Sequence, residues 1–200
     1  LPDAVRLYLD HTEEGLSLRE LARRQGVAAS TVMRQVRRYE ARRDDPLVDE
    51  ALAALALLQG QAPGRATGQV SANSAATGKD RPEMTAALRP TPVTLDEAGI
   101  AREGRRVLRR LAEPGAVLAV APDMEKAAVL REGADLRMVQ TAVLDRAVAQ
   151  AFALKDWIAV RKTQGRLSTY EITGPGRAAL KRMVEEEDRR RMSHHASFGL

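Results

Sequence analysis

Apolar residues over positions 1–59 recur at helical spacing in four successive stretches. Pro2 to Glu14 sets Val5, Tyr8 and Leu9 on one stripe. Leu18, Leu21 and Ala22 make a second, narrow one, and Val32, Val36 and Tyr39 a third, spaced i, i+4, i+7. Asp45-Pro46, a cap followed by a first-turn proline, opens a fourth helix to about Gln59. In this helix nearly every face is apolar: Leu47, Val48, Leu52, Leu55, Leu57 and Leu58. Such a helix must be covered. One side can pack on the preceding helices. The remainder implies either a homodimer contact or a dock for a missing part of the chain.

The periodicity stops at Gly60. From there to Thr94 the chain is rich in Gly, Ala, Ser, Thr and Pro, with too little apolar surface to offset the entropy of ordering. A flexible linker is expected. The pattern resumes at Leu95. Asp96 to Ala112 reads as a helix with Ile100, Val107, Leu108 and Leu111 inward and Arg105, Arg106, Arg109 and Arg110 around the rest; Pro114-Gly115 ends it. Ala116–Val120, Ala127–Arg131 and Met138–Val143 read as strands. Asp145 then caps a helix with Val148, Phe152 and Leu154 on its core face. Ile158–Thr163 and Arg166–Thr173 flank a Gln164-Gly165 turn suited to a hairpin, with Ile158 and Val160 on one face of the first strand and Tyr170 and Ile172 on one face of the second. Thr173, Pro175 and Gly176 start a last helix that runs into Glu185–Arg191.

Leu18 to Tyr39 carries a more specific signal. Ser17 with Glu20 forms the S-x-x-E capping box, and Ala22 leaves room for a close helix crossing. Gly26 suits a left-handed helix stop, Val27 is expected to dip back into the core, and a second helix starts at about Ala29. On that helix Ser30, Arg34, Arg37 and Ala41 lie opposite the apolar stripe, with Thr31 and Arg38 beside them. A helix with an apolar back and a front of small residues and arginines can enter the major groove of double-stranded DNA, where Arg pairs with guanine O6 and N7. An arginine-rich face is by default merely solvated. The coincidence of turn, cap and arginines confined to the second helix argues instead for a helix-turn-helix. Two residues depart from the common pattern. Ala28 sits where Ser or Thr often caps, and Gln35 where a buried aliphatic is usual.

Helix, hairpin and helix over 146–191 resemble a winged helix, and Tyr170 to Arg177, leading into Ala178-Ala179-Leu180, resembles the wing exit of many bacterial regulators. Arg161, Lys162 and Arg166 would then sit on the wing as phosphate contacts. In the preceding helix only Arg146, Gln150 and Lys155 could touch DNA, which favours a protein-binding role for this half. The expected fold is mostly α with a smaller β part. It comprises a helix-turn-helix bundle over 1–59, a flexible linker over 60–94, a winged-helix-like α+β domain over 95–191 and a tail over 192–200.

The net charge of +5 suits a polyanionic partner without demonstrating one. There are no cysteines, hence no disulfide or thiolate metal site, and nothing points to secretion. No apolar run approaches the roughly 20 residues that span a bilayer, and no basic-then-apolar signal opens the chain. A cytoplasmic location is expected. The chain starts at Leu1 rather than Met and stops after Leu200, so a longer parent is expected.

The segments Ala119–Gly133 and Thr141–Val160, together with the helix-turn-helix, resemble a group of alphaproteobacterial regulators with a long uncharacterised second domain. Some members activate genes of phage-like gene transfer agents, and members continue beyond the point where this chain ends. The resemblance implies a transcriptional activator of which part of the second domain is absent.

Other motifs are weaker. Gly174, Gly176 and Ala179 fit G-x-G-x-x-A, but that fingerprint works only in a βαβ unit, and the strand before it belongs to a hairpin. Gly78-Lys79 lacks the rest of a phosphate loop. The histidines are His11, His194 and His195, with no third ligand near the adjacent pair. The acidic pairs Glu13-Glu14 and Asp44-Asp45 and the run Glu185–Glu187 fall on solvated helix ends. No catalytic set, metal site or cofactor is expected. Two functions compete: a sequence-specific transcription factor, and an adaptor docking on RNA polymerase or another regulator with a nonspecific hold on DNA.

Overall fold

The computed structural model describes residues 2–60, 97–133 and 137–197. All of the expected linker but its first residue lies outside them. The helices are α1 (Asp3–Thr12), α2 (Leu18–Gln25), α3 (Ala29–Glu40), α4 (Pro46–Gly60), α5 (Glu97–Leu111), α6 (Arg146–Leu154) and α7 (Gly174–Ser197). The strands are β1 (Val117–Val120), β2 (Lys126–Glu132), β3 (Met138–Asp145), β4 (Ile158–Gln164) and β5 (Leu167–Ile172). The fold is thus mostly helical with a smaller β part, as the spacing predicts. Residues 192–197, expected as a tail, continue α7.

Each helix of the N-terminal half buries the stripe read from its sequence: Val5, Tyr8 and Leu9 on α1, Leu21 and Ala22 on α2, Val32, Val36 and Tyr39 on α3. Asp45 caps α4, its Oδ1 accepting from the Leu47 amide at 3.1 Å. Leu47, Val48 and Leu52 are fully buried, each burial contributing about 1.5–3 kcal/mol. Part of the cover for this apolar helix comes from α6 of the same chain, which packs along it. Leu57 and Leu58 stay exposed. Val27 also differs from expectation. The backbone N–H after Gly26 turns back to the Ala22 carbonyl, but the Val27 side chain points outward and is 41 % exposed.

The strands form one sheet in the order β3-β2-β1-β5-β4, antiparallel throughout. The expected hairpin is present as β4–β5. Its turn falls one residue later, at Gly165-Arg166, with Gly165 at φ 57. Its inner strand β5 pairs with β1, so the hairpin is one edge of a larger sheet rather than a free wing. Register places Leu118 beside both Val129 and Tyr170, and all three are buried. Their neighbours Val117, Ala119, Ala128 and Leu130 face the other way and are half-buried, so one face of the sheet carries the core. Val160 lies on the outer strand and is exposed, and a bulge follows it at Arg161.

Close backbone packing explains the dinucleotide look-alike. A Cβ on Gly176 would stand 2.1 Å from the Trp157 carbonyl oxygen, so only glycine fits. The Gly176 amide donates to Thr173 Oγ1 at 3.0 Å, capping α7. Both features serve the strand-to-helix corner.

Candidate nucleic-acid interface

The geometry of α2 and α3 follows from four local devices. Ser17 Oγ accepts from the Glu20 amide at 3.2 Å, one half of the expected capping box. The Glu20 carboxylate turns instead to Arg23 and Arg24. Gly26 adopts the left-handed conformation at φ 65 and its N–H closes onto α2, as the stop requires. Ala28 occupies the N-cap of α3 with no side-chain hydrogen bond, and its carbonyl accepts from the Thr31 amide at 2.9 Å. Tyr8 and Tyr39 pack with ring centroids 6.1 Å apart and hold α3 against α1.

On the outer side of α3, Ser30, Arg34, Arg37 and Arg38 are exposed and Thr31 is half-buried. Arg34 and Arg37 have no hydrogen-bond or ion-pair partner among the described residues. Arg38 differs. Its guanidinium pairs with Asp156, which also pairs with Arg42. Asp156 sits in the turn after α6 with φ 56, a left-handed conformation that a non-glycine residue adopts only when its surroundings hold it there. Arg42 also donates to the Ala153 carbonyl at 2.8 Å. Burial pulls the Arg42 guanidinium below its ordinary value, with Asp45 the main opposing influence.

Contacts of this kind run along the whole seam between the N-terminal helices and the sheet half. The Tyr39 hydroxyl donates to the Leu154 carbonyl. The Tyr170 hydroxyl donates to Asp45 Oδ1 at 2.9 Å. Arg146 meets Glu50 through two hydrogen bonds of 2.8 and 2.6 Å, and Gln150 donates to the same carboxylate at 3.1 Å. Lys155, just after α6, pairs with Glu97 of α5 at 2.6 Å, a contact inside the second half rather than across the seam. Arg146, Gln150 and Lys155, the residues here that could have faced DNA, are thus all engaged within the chain.

The hairpin residues Arg161, Lys162 and Arg166 are exposed on β4 and the turn. Arg166 pairs with Asp123 at 2.8 Å, while the side chains of Arg161 and Lys162 have no partner among the described residues. Sequence reasoning did not identify Asp156, Glu50 or Asp45 as partners across the seam. The role of each depends on residues about 100 positions away, as the 96-residue separation of Glu50 and Arg146 illustrates, and Asp45, read with Asp44 as solvated, is buried. Gln35 is the remaining oddity: its Oε1 is buried with no hydrogen-bond partner among the described residues.

No helix among the described residues is long and apolar enough to cross a membrane. The chain matches no curated protein and no solved structure. Residues 3–48, which span α1 to the start of α4, match the family model of the homeodomain-like domain. Within that match α2, the Gly26 turn and α3 have the helix-turn-helix arrangement.

Proposed function

We propose that the protein is a sequence-specific transcriptional regulator that lays α3 in the major groove. Ser30, Thr31, Arg34 and Arg37 face the bases or flanking phosphates. Arg38 joins them by exchanging Asp156 for a phosphate, and Arg161, Lys162 and Arg166 add backbone contacts from the hairpin. The observation that carries this reading is the state of Arg34 and Arg37. They are exposed and unpaired at the centre of the outer face, while Arg23, Arg24, Arg38 and Arg42 are all held by carboxylates. An unpaired guanidinium offers its donor fork to guanine without first breaking an ion pair.

The resemblance of the second half to alphaproteobacterial regulators supports a finer reading: an activator whose targets include the genes of a phage-like gene transfer agent. The seam supports a second role for that half. With Arg146, Gln150 and Lys155 engaged internally, α6 is not a base reader, which favours docking on another protein, RNA polymerase or a second regulator among them.

The test is a salt series of binding to a duplex selected from random sequence and to an unselected one. A base reader keeps a ratio of about 10³ or more between them at physiological salt. Equal affinities that fall together with salt would show a nonspecific hold.

A further inference from the structure

Between α5 and α7 lies an open groove of about 550 Å³. The α5 wall is a continuous stripe of arginines, Arg102, Arg105, Arg106 and Arg109, at spacings i, i+3, i+4 and i+7. The groove's glutamates are already used. Glu187 is taken by Arg105 and by Arg191 (2.9 Å), Glu103 by Arg106 at 2.6 Å, and Glu113 by Arg110 at 3.1 Å. Arg102 and Arg109 are left over, one at each end of the stripe, with no partner among the described residues. On the opposite wall stand half-buried Val184 and the carboxylate of Asp188, which has no partner among the described residues.

We propose that this groove binds an acidic helical segment of a partner protein. Two helical turns separate Arg102 from Arg109, a distance of about 10.5 Å. A second helix presents carboxylates at the same pitch when they recur at i and i+7, so both free guanidiniums are met at once. Val184 offers that helix an apolar floor, and Asp188 accepts one basic residue from it. This mixed lining suits a protein helix better than nucleic acid, because Glu187 and Asp188 would face a uniformly negative phosphate backbone. The site is independent of base reading by α3.

The test uses the full chain and a fluorescent synthetic helical peptide whose glutamates recur at i, i+4 and i+7, read by anisotropy at physiological salt. The acidic peptide binds, and its lysine counterpart does not. Arg102→Gln with Arg109→Gln weakens the acidic peptide about tenfold, the loss of one or two surface ion pairs, and leaves affinity for a random duplex unchanged. A version of the acidic peptide with one lysine placed for Asp188 binds a few-fold tighter than the all-acidic one, and Asp188→Asn removes that gain. The proposal is overturned if the acidic peptide does not bind, if it and its lysine counterpart bind alike, or if Asp188→Asn leaves that gain in place. It is equally overturned if the double variant loses duplex binding instead, which would make the groove a phosphate surface.

Discussion

The hydroxyl of Tyr39, at the end of α3, donates to the main-chain carbonyl of Leu154, at the end of α6, at 2.8 Å. This bond ties α3, the proposed DNA-reading helix, directly to the sheet half. It lies in a seam with Arg42–Asp156, Asp45–Tyr170 and Glu50–Arg146, so the orientation of α3 depends on the second half of the chain. Residues 60–94 have the composition of a protease-sensitive linker. Cleavage there should give two fragments that elute together in gel filtration. Tyr39→Phe, which leaves a buried carbonyl unmatched at a cost of about 1–3 kcal/mol, should loosen that association. Fragments that separate at once would contradict the seam.

Burial raises the proton affinity of both Tyr39 and Tyr170, with Asp45 adding to the effect at Tyr170. An unfolded tyrosine loses its proton near pH 10, so above that pH the folded state holds more protons than the unfolded one. The stability from these two groups is complete below about pH 10 and falls as pH rises beyond it. Denaturant melts between about pH 8 and about pH 11 should show this decline. Tyr170→Phe should flatten it, and an unaltered decline in that variant would remove Tyr170 from the explanation.

Gly26 holds φ 65, and a Cβ there would meet nothing within 4 Å. Any penalty for substitution is therefore backbone strain rather than a clash. Gly26→Val should cost on the order of 1–3 kcal/mol, and Gly26→Asn clearly less, since Asn tolerates the left-handed region. Thermal melts of the two variants compare them directly. Equal melting points would mean that the turn does not need this conformation.

Gln35 buries Oε1 without a partner beside the apolar stripe of α3. Exchanging it for an isosteric apolar side chain removes an unmet polar group. Gln35→Leu should stabilise the protein by about 1 kcal/mol. A loss of stability would mean that the amide is satisfied in solution.

The sequence disclosed what local rules govern and little of what distant residues decide. Val32, Val36 and Tyr39 at i, i+4, i+7 predict the buried face of α3, and the alternation of Tyr170 and Ile172 predicts the buried face of β5. Gly26 and Asp45-Pro46 mark boundaries because each satisfies or breaks a hydrogen bond within a few residues. The pairing of β5 with β1 was not legible, since periodicity says which side of a strand is buried and not what lies beside it. Val27 misled for a related reason: an apolar residue after a turn gives no direction to its side chain. Arg38 was legible as exposed and basic, but nothing in its neighbourhood announces Asp156.

Base reading by α3 is the centre of this account, and one comparison of variants tests it most directly. Arg34 is unpaired at the middle of the outer face, whereas Arg38 is already held by Asp156. Both changes to Ala remove one positive charge, so a difference between them reports geometry. On a duplex selected from random sequence, Arg34→Ala should lose roughly 1–3 kcal/mol, with little change on an unselected duplex. Arg38→Ala should weaken both duplexes alike and lower the salt slope by about one. If both variants instead lose selected and unselected binding equally, α3 is a basic patch and the protein does not read sequence through it.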